Sequence, residues 1–355
     1  MTRLLHALAA SLLLACGAQT IRVPPDQRGE APEEGEPDEG EAVAEAGGEQ
    51  EEGSDPTPLS LGEPVDVPGT GVTIRPPRGA SPMPFLAGFY DESRQIQISV
   101  MVEQGPEDIL EAMRSAGQQG APTPEQVERV TIDGVSGRVG YDRLHTDRGD
   151  FERVWLLIHD GDKALGIIAT YGQESAEAVR DGLLEALRGA RWNRETPIDA
   201  AQAIGLSVGP VEGLQPSHAS TSRLILLPAG ASYPPESPTD VVVAVAPLFP
   251  LRVPADQVAE ACTQLMDQLV NLPPLDVEHE GAVEDGSLPG CERLARIDTP
   301  EGDEVAAYGA LVFFDGTPIL VTGRASADEI GTWQGRFFAA ARSVRVSDVR
   351  PMPDS

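Results

Sequence analysis

Three cysteines, Cys16, Cys262 and Cys291, are the side chains of this sequence best suited to covalent chemistry. A cysteine thiolate can be acylated or oxidised, depending on its surroundings. Cys262 and Cys291 lie too far apart for a CxxC redox motif. Two alternatives remain for them. A disulfide between them would close a loop of about 30 residues and contribute roughly 3–4 kcal/mol in the chain-entropy model, or both could be buried thiols that act as small hydrophobic side chains.

Residue types that build active sites do not occur at the spacings such sites need. A zinc site requires converging ligands, and four histidines are scattered instead: His145, His159, His218 and His279. Gly69-Thr-Gly71 lacks the following Gly and Lys of a phosphate-binding loop. We expect no nucleophile elbow. The sequence therefore predicts no catalytic residue, no metal ligand and no cofactor.

The first fifteen residues have the composition of a secretory signal peptide. Arg3 provides a positive start, and the run from Leu4 to Ala15 is apolar except for His6 and Ser11. This run is shorter than the roughly 20 apolar residues that a membrane-spanning helix needs. We therefore interpret residues 1–15 as a cleaved signal peptide rather than a permanent membrane anchor.

The segment Leu13-Leu14-Ala15-Cys16-Gly17 resembles the lipobox of bacterial lipoproteins. The resemblance implies that Cys16 receives a diacylglyceryl group and becomes the mature N-terminus. Gly17 in place of Asp implies transport to the outer membrane, at its periplasmic face or at the cell surface. Two or three acyl chains, such as palmitate, would hold the protein on a bilayer. The alternative is an ordinary signal peptide with an incidental cysteine.

Residues 16–60 are predicted to form a disordered acidic linker behind the lipidated cysteine. From Asp26 to Asp55 there are thirteen acidic residues against the single Arg28, and such a composition cannot bury a core. We interpret the linker as a tether, with a calcium-binding or acidic recognition tail as the alternative. The net charge of −31 argues against a nucleic-acid partner, because phosphate binding needs clustered Lys and Arg.

The remainder of the chain is predicted to hold two similar modules, residues 61–196 and 203–348, with their boundary at Glu195–Gln202. Each half has early strands, a helix, four strands in hairpins and a last helix. Asp-Gly pairs mark the tight turns in both halves. The most similar stretches are Val154–Gly161 and Gly309–Gly316, which align the two halves on their Asp-Gly turns.

Amphipathic helices are predicted to begin near Pro106 and Pro254, and Ser175 and Ser326 are candidate N-caps of the last helix in each module. Hairpins imply antiparallel pairing, so the expected fold class is α+β, with an antiparallel sheet flanked by helices in each module. This order of elements resembles the PsbP-like α/β/α sandwich. That resemblance implies binding or scaffolding rather than catalysis, and it transfers no functional residue.

The predicted function is a lipid-anchored bacterial envelope protein that acts as a non-catalytic binding or scaffold module. Its expected partners are the membrane, through the N-terminal lipid, and an envelope protein. The alternative is a small-ligand or metal-ion receptor that uses the cleft between the modules, and a degenerate hydrolase is a third hypothesis. Four tyrosines are candidate rim residues of that cleft: Tyr141, Tyr171, Tyr233 and Tyr308. The Pro-rich stretch from Tyr233 to Pro238 is either a plain connection or a protein-contact loop.

Overall fold

The computed structural model describes residues 58–104, 127–146, 149–217, 220–248, 251–269, 276–283, 286, 288–298 and 302–347. The predicted signal peptide, Cys16, nearly all of the acidic linker and the predicted helix near Pro106 lie outside the described residues.

The first module is built on a seven-stranded antiparallel sheet. Its elements are β1 (Val65–Val67), β2 (Val72–Ile74), β3 (Ser81–Pro82), β4 (Gly88–Asp91), β5 (Ile96–Gln104), β6 (Val127–Ile132), β7 (Val135–Thr146), β8 (Gly149–Asp160), β9 (Lys163–Gly172), α1 (Ala176–Arg188) and β10 (Arg191–Trp192). The strand order is β3-β4-β5-β9-β8-β7-β6, and β1, β2 and β10 form a separate three-stranded sheet.

The second module repeats this path. Its elements are α2 (Ala200–Ile204), β11 (Leu206–Val208), β12 (Leu214–Ser217), β13 (Leu224–Pro228), β14 (Val242–Pro247), α3 (Val258–Leu269), β15 (Asp276–Ala282), β16 (Gly290–Asp298), β17 (Glu304–Phe314), β18 (Thr317–Ser326), α4 (Ile330–Arg342) and β19 (Val344–Val346). The order β12-β13-β14-β18-β17-β16-β15 matches the first sheet strand for strand, and β11 pairs with β19. The predicted α+β class with two antiparallel sheets is confirmed.

Alternating side chains put one face of each sheet against a helix. On β5 the apolar residues Ile96, Ile98 and Val100 are buried while the residues between them are half-buried, as expected for a period of two. Helix α1 packs across β7, β8 and β9. In the second module α4 packs on β17 and β18, and α3 packs on β16 and β17 from the opposite face.

The prediction that Ser175 and Ser326 cap the last helices with their side chains is wrong. Both last helices are entered through a 3-10 turn, Gln173–Ser175 in the first module and Ala327–Glu329 in the second. Ser175 already has near-helical torsions and its side chain makes no cap hydrogen bond. Ser326 precedes the 3-10 turn, also without a side-chain cap. The tighter turn satisfies the first N–H groups that a serine cap would otherwise reach.

The Asp-Gly turns that align the two halves in sequence occupy different positions in their hairpins. In the second module Phe314 pairs with Thr317. Asp315 and Gly316 are therefore the two loop residues, and both have positive φ, 45° and 74°. This is the backbone of a type I′ hairpin turn, in which Asp-Gly is a favoured pair.

In the first module Asp160 is itself the last paired residue, opposite Lys163, so the loop consists of Gly161 and Asp162. Equivalent strand pairs thus align Val154 with Tyr308, not with Gly309. The sequence alignment of the two halves is wrong by one residue here. Such a shift matters, because one residue moves a side chain to the opposite face of a sheet.

The two modules are joined by backbone pairing as well as by a shared core. Beyond Ser99, β5 no longer pairs with β4, and the freed edge takes up a segment of the second module. The N–H of Thr221 donates to the Val102 carbonyl at 3.0 Å, and the N–H of Val102 donates to the Thr221 hydroxyl at 2.8 Å. One cluster of buried apolar side chains includes residues of both modules. The modules therefore form one packed unit.

Candidate functional site

A fully buried carboxylate, Glu152, lies under α1 in the first module. It accepts hydrogen bonds from the guanidinium of Arg180 at 2.5 and 2.7 Å and from the hydroxyl of Tyr171 at 2.6 Å. Arg143 lies 3.7 Å from it, and Arg180 stacks on Tyr141 at 4.6 Å. The carboxylate is thus held between a strand and the last helix, which fixes the helix on the sheet.

A second buried carboxylate, Glu292, has the same kind of partners in the second module. It accepts from the Tyr308 hydroxyl at 2.7 Å and from Arg342 at 3.0 Å. His279 Nε2 lies 3.4 Å away, and Arg342 stacks on Phe338 at 5.1 Å. The two clusters occupy non-equivalent positions, because Glu152 is on β8 whereas Glu292 is on β16, the counterpart of β7.

The Glu152 cluster is not arranged for acid–base catalysis. Burial would raise the pKa of Glu152, but hydrogen bonds from Arg180 and Tyr171 outweigh it and hold the pKa below its usual range. Burial and the neighbouring carboxylate raise the pKa of Tyr171. A carboxylate that stays charged beside a phenol that stays neutral exchanges no proton near neutral pH. The clusters stabilise the fold.

The predicted rim tyrosines are mostly core residues. Tyr171 and Tyr308 are 1% and 3% exposed and belong to the two buried clusters, so neither can line a cleft. Tyr141 is half-buried beneath Arg180. Tyr233 is half-buried in the Pro-rich loop. Of the four, Tyr233 is the one that the structure leaves next to other polar groups at the surface.

Cys262 and Cys291 are joined by a disulfide in the structure, with Cα atoms 6.0 Å apart. Cys262 lies on the apolar face of α3 together with Leu265 and Met266. Cys291 is on β16, directly under that helix. The bond therefore ties α3 to the sheet, on the face opposite the Glu292 cluster.

The sequence does contain one GxSxG pattern, Gly205–Gly209, although no nucleophile elbow is expected. A nucleophile elbow requires a strand, a sharp turn and a helix in that order. Here the order is reversed, because α2 ends at Gly205 and Ser207 lies within β11, opposite Arg345 of β19. The serine is part of a strand ladder and has no elbow geometry.

The three histidines of the described residues, His145, His159 and His279, are not brought together. His145 is exposed and lies 2.7 Å from Asp150, His279 faces Glu292, and His218 lies outside the described residues. Within the described part of the chain, no group of three or more His, Cys, Asp or Glu side chains is placed to hold a metal ion. Likewise, none of the helices described is long and apolar enough to cross a membrane.

A polar group closes the seam between the modules. The carboxylate of Glu103 accepts from the hydroxyls of Ser220 and Ser222 at 2.7 and 2.8 Å. Arg223 lies 4.0 Å from its other oxygen and donates to the Tyr233 hydroxyl at 2.9 Å. The seam residues thus bind one another, so the predicted inter-module cleft is filled here by the protein's own side chains.

Next to this seam lies a group of residues that we call the Arg324 cluster: Arg324, Tyr233, Ser237 and Asp240. Arg324 is on β18 and is 8% exposed. Its Nη2 donates to the Ser237 carbonyl at 3.3 Å, and its buried Nε has no hydrogen-bond partner. Burial lowers the pKa of Arg324, and Asp240 and Tyr233 act in the opposite direction. Sequence reasoning singled out Tyr233 and its loop but missed the arginine.

Three of the four edge strands of the two seven-stranded sheets, β3, β12 and β15, carry features that oppose pairing with a further strand. Two edge strands contain proline, Pro82 in β3 and Pro216 in β12. At the opposite edge of the second sheet, β15 carries the acidic side chains of Glu278 and Glu280 and an irregularity between Val277 and His279. Prolines, charges and bulges are devices that block edge-to-edge association. A binding partner is therefore better accommodated by side chains than by strand addition.

No protein-family profile matches the chain, and no curated protein matches it. Solved structures similar to parts of the chain include cyanobacterial PsbP (CyanoP) from Synechocystis sp. PCC 6803. The two chains are 15% identical with a TM-score of 0.25, over 39% of this chain and 97% of that one. Another is LpqN, described as involved in cell envelope biogenesis of Mycobacterium tuberculosis, at 11% identity and a TM-score of 0.26, over 40% of this chain and 83% of that one.

A third similar structure extends over both modules. It is the immunity protein TplEi of the T6SS from Pseudomonas aeruginosa, which is 11% identical with a TM-score of 0.29, over 78% of this chain and 95% of that chain. LpqN is thus an envelope-biogenesis protein and TplEi an immunity protein. At these identities and scores the similarities assign no function to the chain.

Proposed function

We propose that this chain is a lipid-anchored protein of the bacterial envelope that works as a non-catalytic binding or scaffold module. The lipobox-like segment around Cys16 supports the anchor, and the acidic linker supports a tether between anchor and folded unit. One observation carries the non-catalytic part. The buried carboxylates Glu152 and Glu292 are each hydrogen-bonded to an arginine and a tyrosine, and their role is to fix helices.

The anchor is tested by fractionating cells that express the wild-type chain, Cys16→Ala and Gly17→Asp. The wild-type chain is expected in the membrane fraction, and Cys16→Ala is expected to be released or to stay unprocessed, because it has no thiol to acylate. Gly17→Asp keeps the thiol and controls for a damaged signal peptide. It should remain in membranes but shift towards the inner one. An unchanged membrane fraction for Cys16→Ala would refute the lipid anchor.

The binding role is tested by cross-linking in intact cells, followed by isolation of the full-length chain under denaturing conditions. A reproducible envelope protein should be recovered with wild type and lost with Cys16→Ala, since release from the membrane removes the chain from its partner. Recovery of the same proteins with both variants would show that the contacts are not specific to the anchored location.

A second candidate function, a small-ligand receptor, is supported by the Arg324 cluster rather than by the cleft between the modules. The described seam residues Glu103, Ser220 and Arg223 already bind each other. Arg324 also has a buried donor without an acceptor, and unlike Arg223 it is within ion-pair distance of no described carboxylate.

A further inference from the structure

Two arginines in this protein, the half-buried Arg180 and the buried Arg153, bind carboxylates through the same two nitrogens. Arg180 donates from Nε and Nη2 to the two oxygens of Glu152. Arg153 donates from the same two nitrogens to the two oxygens of Asp142, and both residues are buried. This side-on fork is planar and matches a carboxylate, so each pair makes two parallel charge-assisted hydrogen bonds.

In Arg324 the corresponding nitrogens, Nε and Nη2, are not hydrogen-bonded to a carboxylate of the described residues. Its Nε has no acceptor, and its Nη2 has one long contact, 3.3 Å, to the Ser237 carbonyl. No carboxylate of the described residues lies within ion-pair distance of this guanidinium. A buried charge without a partner is costly, and a buried donor without an acceptor adds to that cost. An external acceptor would remove both penalties.

The Nε of Arg324 is buried, but the residues around it are not. On the sheet it pairs with Val242 of β14 and Ala307 of β17, and both neighbours are half-buried. The loop that covers it, at Ser237 and Asp240, is also half-buried, so a ligand reaches the buried Nε when this loop moves aside. The equivalent residue of the first module is Thr170, which shows that the fold itself does not require an arginine here.

We propose that the Arg324 cluster is a binding site for a ligand carboxylate, which accepts hydrogen bonds from Nε and Nη2 of Arg324. A carboxylate fits better than a phosphate for two reasons. The free fork is planar with two parallel donors, and the nearby Asp240 together with the net charge of −31 opposes a dianion. The inference rests on the proposed binding function and names its ligand chemistry. The carboxylate could come from a free organic acid or from the C-terminus of a peptide.

The test is a titration of the full-length chain with sodium acetate, followed through the backbone amide NMR signals of Ser237, Thr239 and Asp240. Sodium chloride at equal ionic strength is the control for salt effects. A short peptide with a free C-terminus and its amidated counterpart are titrated in parallel. The variants are Arg324→Gln, Arg324→Lys and the matched control Arg252→Gln, which removes an exposed arginine paired with Asp315.

We expect saturable shifts with acetate in wild type and in Arg252→Gln, and binding weakened about tenfold or more in Arg324→Gln, which corresponds to about 1.4 kcal/mol. Arg324→Lys keeps the charge but lacks the fork, so it should also bind weakly. If Arg324→Gln fails to fold, the comparison of wild type with Arg324→Lys tests the inference instead. If the peptide with a free C-terminus binds more tightly than acetate, the ligand is a chain terminus. If the two bind equally, the ligand is a free organic acid.

Shifts that do not saturate in wild type, or equal affinities in wild type and Arg324→Lys, would overturn the inference. These results are separate from the tests of the proposed function. If the anchored chain recovers an envelope partner while acetate does not bind, the binding function stands and the carboxylate site is refuted. If acetate binds but no envelope partner is recovered, the carboxylate site stands and the envelope-partner function is refuted.

Discussion

Replacing Glu152 by alanine tests whether its cluster stabilises the fold as described. Glu152 is fully buried and accepts two hydrogen bonds from Arg180 and one from Tyr171. Removing one partner of a buried ion pair typically costs about 3–5 kcal/mol, because the other charge is left without compensation. Arg180 is 25% exposed and can partly rehydrate, so we expect about 3 kcal/mol and a melting temperature lower by roughly 6–12 °C.

The assay is urea unfolding of wild type, Glu152→Ala, Glu152→Gln and the control Glu185→Ala. Glu185 forms an exposed pair with Arg75 at 3.5 Å, and such pairs contribute about 0–1 kcal/mol. Glu152→Gln keeps the shape of the side chain and an acceptor for Tyr171 but removes the charge, so it should fall between the two. A double-mutant cycle with Arg180→Gln measures the coupling of the pair directly.

The pH dependence of the free energy of unfolding tests independently whether Glu152 stabilises the fold in its charged form. The pKa of Glu152 is lowered in the folded protein. Its contribution is therefore complete above the unfolded pKa, about 4.5, and is lost as the pH falls through the folded value. Below pH 4.5 the stability of wild type should fall more steeply than that of Glu152→Gln. A loss in Glu152→Ala no larger than in Glu185→Ala, or parallel pH profiles, would refute the reasoning.

Two further predictions concern the covalent bond and the seam. In the Cys16→Ala chain, thiol reagents should label no cysteine before reduction and two cysteines afterwards. Reduction of the disulfide between Cys262 and Cys291, which are 29 residues apart in sequence, should lower the free energy of unfolding by about 3–4 kcal/mol. Labelling of both sulfurs without reductant would contradict the disulfide. Thr221→Val should cost about 1–3 kcal/mol in urea unfolding, because the buried N–H of Val102 loses its acceptor. Thr221→Ser keeps the hydroxyl and should cost less, and equal losses in the two variants would show that the hydrogen bond is unimportant.

The element order of both modules could be predicted because its signals are local. On β5, Gln95 to Val102 alternates between polar and apolar residues, and the strand is found at Ile96–Gln104. The apolar stripe of the last helix of the first module, Val179, Leu183 and Leu187, is the buried face of α1. Patterns of this kind depend on neighbours within a few residues, so one sequence suffices to detect them.

The alignment of the two halves could not be predicted, since register depends on how a turn is used. Asp160-Gly161 and Asp315-Gly316 are identical dipeptides. The first straddles the end of its strand, whereas the second forms the whole loop. Nothing within the dipeptide distinguishes these cases. The register is set by the strand pairs across the sheet, and these pairs place Tyr308 on the buried face.

The buried charges also escaped prediction, for a related reason. Glu152, Glu292 and Arg324 look like ordinary exposed residues in sequence, because charged side chains in strands are usually solvated. Their burial follows from tertiary packing against α1, α4 and the loop around Ser237. A signal did exist at Glu152, where a charged residue occupies the position that continues the apolar series of Val154, Leu156 and Ile158 on β8.

The comparison of the two modules separates residues that serve the fold from one that does not. Both modules fix their last helix with a buried glutamate, a tyrosine and an arginine, and they do so at non-equivalent positions. Many positions therefore satisfy this need, and the pairs cancel their own charges. Arg324 is different, because Asp240 and Tyr233 offset only part of the cost of its burial, and its counterpart Thr170 shows that the sheet forms without it. A residue that destabilises the isolated chain is best explained by a ligand that supplies the missing acceptor.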